Sequence, residues 1–146
     1  MSAPLTLNLE FRKIVEARMD QVLKGVEATF NQIAETQKIT PTELKEEIDS
    51  LQTTFNLLFQ KWGLEILYTL LLKDAIGFGE IKKILTVNSR TLSDKLKMLQ
   101  AHGYITRGVT TGPPLRVAYS LTAKGKNTVL LALPLLYYSS SSPARA

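Results

Sequence analysis

At Gly103 the spacing of apolar residues changes, and that change limits the folds open to the chain. Before it, Leu92, Leu96 and Leu99 recur at i, i+4 and i+7, the spacing of one helix face. After it the period falls to two. Residues 104–111 and 115–121 read as two strands; Leu115, Val117, Tyr119 and Leu121 share one face of the second, and Arg116, Ala118 and Ser120 the other. Thr110-Thr111-Gly112-Pro113-Pro114 breaks both strands and forms a stiff tip. Strict alternation groups Arg107 with Ile105 and Val109. Either Arg107 sits at the edge of the buried face or a bulge shifts the register. A helix stopped by glycine and followed at once by a hairpin is thus expected.

The helix is the stretch Ser89 to Gly103, with Ser89 as N-cap and Gly103 ending it in a left-handed turn. At about 100° per residue, Arg90, Asp94, Lys97 and Ala101 lie opposite the leucines. Thr91, Ser93 and Met98 lie on the flanks. Such a helix can seat its leucines on a core and lay its outer face in a DNA major groove. Taken alone it reads first as an ordinary solvated amphipathic helix, and only its neighbours favour the DNA reading.

The preceding residues give it a context. Residues 62–72 read as a short core helix carrying Leu64, Ile66, Leu67, Leu70 and Leu71, and Lys73 to Gly77 as a turn. Phe78 to Leu85 is a second short helix with Phe78, Ile81, Ile84 and Leu85 inward. Thr86-Val87-Asn88 then leads into the Ser89 helix, making a helix-turn-helix. With the hairpin after it, the order is that of a winged helix. A last helix capped by Thr122 carries Val129, Leu130, Leu131, Leu133, Leu135 and Leu136, and Pro134 should kink or end it.

Upstream, residues 5–36 read as one long helix with Leu7, Phe11, Ile14, Val15, Val22, Val26, Phe30 and Ile33 at three- and four-residue steps. Thr40-Pro41-Thr42-Glu43 is a capping box opening a second helix, whose stripe is Leu44, Ile48, Leu51, Phe55, Leu58 and Phe59. These stripes pack on each other or on a second copy of the chain. About thirty helical residues reach about 45 Å, longer than a small domain needs, which favours sharing. The expected organisation is a helical region over 1–60, a winged helix-turn-helix over 61–126, a C-terminal helix over 127–138 and a disordered tail over 139–146. The fold class is mainly α with a small β-hairpin wing.

Charge follows the same division. Residues 1–60 hold six Lys and Arg against nine Asp and Glu; residues 61–146 hold twelve against four, giving −3 and +8. A basic half is the footprint of a polyanion binder. The chain lacks cysteine, which excludes disulfides, thiol catalysis and cysteine-ligated zinc; its one histidine, His102, supplies little for any other metal site. That histidine has no evident catalytic partner, and no phosphate-binding glycine loop or apolar carboxylate pair is present, so an enzyme is not expected and no cofactor is implied. His102 reads as a helix-end or surface residue and Trp62 as a core anchor. The longest apolar run, near Val129 to Tyr138, is too short to span a bilayer and no signal pattern opens the chain. A soluble cytoplasmic protein is expected.

Several pieces, in order, resemble the HxlR-type winged-helix transcriptional regulators. They are Trp62 with its apolar helix, F-x-E-I at Phe78 to Ile81, L-S-D-K-L-K-x-L at Leu92 to Leu99, G-Y-I-x-R at Gly103 to Arg107, and P-x-R-V-x-Y-S-L-T-x-K-G at Pro114 to Gly125. The resemblance implies a homodimeric regulator of double-stranded DNA, dimerising through helices outside the winged helix. It implies that Arg90, Ser93 and Lys95 lie near DNA and that the wing touches flanking backbone or minor groove. The chain departs from the pattern at Gln60, where glycine is common, and at Ala118, where an acidic residue is common. The cysteine of redox-sensing members is absent, so a thiol switch does not transfer.

By chemistry, Arg90 and Lys97 suit base edges or phosphates, and Ser89, Thr91 and Ser93 suit phosphates. Asp94 accepts from cytosine N4, pairs with Arg90 or Lys97, or is solvated. Lys95 lies nearer the leucine face and suits a backbone phosphate past the rim. Arg107 and Arg116 would serve the wing. The rival is a winged-helix protein-interaction module, which has no need of the basic outer face of Arg90, Lys97 and Arg116. The apolar region between the helical half and the winged helix leaves a small-molecule effector open.

Overall fold

The computed structural model describes residues 9–110 and 112–139. Their packing falls into two units, 53–133 and 9–52 with 134–139. The elements in chain order are α1 (Leu9–Gln37), α2 (Pro41–Phe59), α3 (Gly63–Leu72), α4 (Phe78–Leu85), α5 (Ser89–Ala101), β1 (Ile105–Thr110), β2 (Arg116–Leu121) and α6 (Ala123–Ser139). The expected start of the first helix at Leu5, with Leu7, lies outside the described residues, as do Thr111 and residues 140–146 of the expected tail. Ser139 closes α6. Among the described residues no helix is long and apolar enough to cross a membrane.

The unit 53–133 holds the core. Ile66, Leu67 and Leu70 of α3, Ile81 of α4, the three leucines of α5, Ile105 of β1 and Val129 of α6 are all but fully buried. Trp62 packs partly buried against this cluster, as a core anchor should. Leu57 and Leu58 close it from α2. Phe55 and Phe59, expected in the stripe with Leu58, are instead about half exposed, and so is Ile84 of α4. The side of α4 that faces the core is narrow, and Ile81 with part of Phe78 and Leu85 fills it.

The hairpin is antiparallel and in unbroken register, from Ile105 opposite Leu121 to Thr110 opposite Arg116. There is no bulge among the paired residues, which settles the alternatives for Arg107. It lies opposite Tyr119 on the alternation, and it is exposed because the core covers only the base of β1 at Ile105. Leu115 precedes β2 and is exposed. The segment expected as a plain turn after α3 does more. Ile76 forms a β-bridge with Tyr119, donating to its carbonyl at 3.2 Å and accepting from its N–H at 2.8 Å. This adds a short third edge that buries Ile76 and anchors the hairpin base to the helices.

Three elements meet at the start of β1. Gly103 has φ 82°, the left-handed position that glycine fills without strain. The Tyr104 N–H donates to Leu99 O at 2.9 Å and the Gly103 N–H to Gln100 O at 3.1 Å, a Schellman closure of α5. The Thr122 hydroxyl donates to Gly103 O at 2.6 Å and accepts from the Gly125 N–H at 3.0 Å, so one side chain closes that turn and caps α6. A Cβ on Gly125 would collide with Tyr104 O. Pro134 lies inside α6 rather than ending it.

In the unit 9–52 with 134–139, the capping box forms as expected: the Glu43 N–H donates to Thr40 Oγ1 at 3.2 Å and the Thr40 N–H to Glu43 Oε2 at 3.3 Å. The apolar stripe of α1 remains open, with Phe11 58% and Val26 60% exposed.

Two substitutions test this packing with opposite signs in urea denaturation. Gly125→Ala should cost roughly 3 kcal/mol, at the top of the ordinary 0.5–3 kcal/mol range of a point change, because backbone must move. Tyr68→Phe should be neutral or stabilising by about 1 kcal/mol, because the Tyr68 hydroxyl is buried without a hydrogen-bond partner among the described residues. That same burial raises the phenol's pKa above the usual tyrosine value.

Candidate nucleic-acid interface

Helix α5 is held from both ends and from below. Its N-cap is Asn88, not Ser89: Asn88 is extended, and its side-chain Oδ1 accepts from the Thr91 N–H at 2.8 Å. Asn88 leaves Ser89 as the first helical residue, exposed. Leu92, Leu96 and Leu99 are buried to 1% exposure or less, so the helix cannot roll without uncovering its base. Each such leucine contributes about 2–5 kcal/mol relative to alanine. At the C-terminus His102 caps the helix, and its Nδ1 lies 2.9 Å from Met98 O. A carbonyl only accepts, so Nδ1 carries the hydrogen.

This seating leaves Arg90, Asp94 and Lys97 exposed on one side, with Thr91 and Ser93 half-buried at its margins. Among the described residues Arg90, Asp94 and Lys97 form no ion pair. Of the three expectations for Asp94, pairing with Arg90 or Lys97 is therefore not what the structure has. Lys95 is different: it is half-buried, and its ammonium donates to Gln60 Oε1 at 3.0 Å. The residue that departs from the family's glycine thus ties the end of α2 to α5.

The wing arginines are exposed but not together. Arg107 shares the hairpin face of Val117, Tyr119 and Leu121, whereas Arg116 lies on the other face, beside the tip. In the sequence Asn88 stands out only as part of a connection and Gln60 only as a departure from a common glycine, so neither contact is foreseen; Lys82 and Lys83 at the end of α4, both exposed, are not singled out at all. The signal for the lysines was present: they are the outward positions between Ile81 and Leu85.

Two helices joined by a tight turn, the second exposing a polar face and running into a hairpin, define a winged helix-turn-helix. Residues 57–138 match the HxlR-like helix-turn-helix family, and the chain belongs to it. It is 36% identical over 75 residues to the uncharacterized HTH-type transcriptional regulator YdzF of Bacillus subtilis (strain 168), covering 51% of this chain and 69% of that one. It is 34% identical over 112 residues to an uncharacterized HTH-type transcriptional regulator of Synechocystis, covering 74% and 82%. Among solved structures it is similar to the reduced form of the transcriptional regulator YodB from B. subtilis (TM-score 0.59, 21% identity, 74% of this chain and 98% of that one). The oxidized form of the redox regulator HypR is likewise similar (TM-score 0.56, 26% identity, 64% and 96%). These proteins are regulators rather than enzymes, in line with the sequence expectation.

The cap assignment has a direct check. Asn88→Ala should lower stability in chemical denaturation by about 1 kcal/mol, while Ser89→Ala should leave it within about 0.5 kcal/mol.

Proposed function

We propose that this chain is a sequence-specific regulator of transcription that binds double-stranded DNA as a homodimer. One α5 from each protomer enters successive major grooves, and the wings lie on flanking DNA. The observation that carries the proposal is the division of α5: its leucine base is sunk in the core, while Arg90 and Lys97 stand exposed with no acidic partner among the described residues. A protein-interaction platform has no use for such a face. In a duplex, Arg90 and Lys97 suit guanine edges or phosphates. Ser89, Thr91 and Ser93 are short donors suited to phosphates. Asp94 suits cytosine N4. Lys95 reaches a phosphate only by leaving Gln60.

The wing arginines, on opposite hairpin faces, serve different contacts: one follows the backbone and the other turns toward the minor groove. Dimerisation has its support in α1, whose Phe11, Ile14, Val22, Val26 and Ile33 are each two-fifths or more exposed. A stripe of that size on a 29-residue helix is an interaction surface. Two copies would place the recognition helices about 34 Å apart on one side of the duplex. The signal such a regulator answers does not enter through a thiol, because the chain has none.

Mobility shift with random-sequence duplex tests this. With roughly six to ten phosphates contacted, affinity should fall about 10³–10⁵-fold between 50 and 200 mM salt. Arg90→Ala with Lys97→Ala should lower it further at fixed salt. Unchanged affinity in the double variant would show that α5 is not the reading helix.

A further inference from the structure

The end of α2 carries a side chain that reaches α5. Gln60 follows Phe59, the last residue of α2, and its backbone is fixed. The Gln60 N–H donates to Asn56 O at 3.0 Å, and Gln60 O accepts from the Gly63 N–H at 3.1 Å. The turn beyond it leaves little slack. Trp62 is held at φ 79°, a left-handed position that a bulky residue adopts only under constraint. A Cβ on Gly63 would lie 2.7 Å from Leu58 O. Lys61 is engaged with Glu65 at 3.6 Å and stands 4.4 Å over the Trp62 ring, away from the Gln60 side chain. That side chain accepts from the Lys95 ammonium at 3.0 Å.

The chemistry of this acceptor is particular. Of the three cations of α5, Arg90 and Lys97 form no ion pair among the described residues, whereas Lys95 is half-buried and held by a neutral group. A carboxylate at position 60 would neutralise Lys95 and keep it in an ion pair. A glycine would leave it free. An amide oxygen does neither: it directs the ammonium and leaves its charge whole. An anionic oxygen attracts an ammonium more strongly than an amide oxygen does. Gln60 is exposed, so an incoming anion can reach the bond and displace it.

We propose that Gln60 is an exchangeable tether for Lys95: it holds the ammonium against the end of α2 in the free protein and yields it to a phosphate oxygen when α5 seats on a duplex. Gln60 itself touches no DNA; it is a positioning residue that acts through Lys95. The tether must break before the phosphate contact forms, so it lowers affinity without changing the number of phosphates contacted. The coupling is reciprocal, and bound duplex removes a tie between α2 and α5. The proposal rests on the DNA-binding reading and adds to it a determinant of affinity that lies outside α5.

A double-mutant cycle tests the tether, with wild type, Gln60→Ala, Lys95→Ala and the double variant titrated on fluorescent duplex across salt. Gln60→Ala should raise affinity about threefold per protomer bound, the effect of one exposed hydrogen bond, and leave the slope of log affinity against log salt unchanged. Lys95→Ala should shrink that slope by roughly 0.9 per protomer. Adding Gln60→Ala to Lys95→Ala should then change nothing. The Gln60 side-chain amide resonances give a second readout. Duplex should move them in the wild type and leave them nearly in place in Lys95→Ala. Equal effects of Gln60→Ala with and without Lys95, or equal movement of the amide resonances in both proteins, overturn the tether and leave the DNA-binding reading standing. A steeper salt slope in Gln60→Ala also overturns it, because Lys95 would then reach no phosphate in the wild type. A wild-type chain that ignores duplex overturns both. Gln60 is exposed, so the urea midpoint of Gln60→Ala should match that of wild type and the affinities compare folded proteins.

Discussion

The structure depends on the junction between Gly103 and Gly125. There α5 ends, β1 begins, β2 ends and α6 begins, within a few residues in space. Gly103 supplies the left-handed turn, and Thr122 holds its carbonyl at 2.6 Å while capping α6 with the same hydroxyl. The Thr122 N–H donates to Tyr104 O at 3.1 Å. Lys124 donates to His102 O at 2.9 Å and sits 4.5 Å from the Tyr104 ring centroid. Gly125 is there because a Cβ would strike Tyr104 O. The run L-T-x-K-G is thus a physical device. It joins the end of α5 to the end of the hairpin, so neither moves without the other.

Given that junction, the division of labour within α5 follows. Its leucines contribute to stability and make no contact outward; its polar face is exposed and contributes little to stability. The same logic governs the wing. Only the base of the hairpin is buried, at Ile105, Tyr119 and the bridge to Ile76. The outer residues, Arg107 and Arg116 among them, stand clear of the core.

Much of this was legible in the residues because it rests on local rules. The leucine spacing, the change of period at Gly103, the Thr40 to Glu43 capping box and the threonine cap of α6 all express themselves within a few positions. What escaped needs the third dimension. Ser89 and Asn88 are both acceptable caps, and only backbone geometry chooses Asn88. Ile76 looks like part of a turn until Tyr119 comes beside it. Lys95 and Gln60 are 35 residues apart in sequence, and nothing local predicts their hydrogen bond. The α1 and α2 stripes were legible as apolar, and the described residues leave them largely uncovered. The HxlR-like match over 57–138 extends to the family what these local rules indicated.

In the proposed function α5 reads DNA, and two copies of the chain do so together. Selection of bound fragments from random duplex tests it most directly. A dimer of winged helices predicts an enriched inverted repeat with half-site centres about 10–10.5 base pairs apart, or a multiple of that spacing. Recovery of unenriched sequence, or of a single half-site with no symmetric mate, would contradict it.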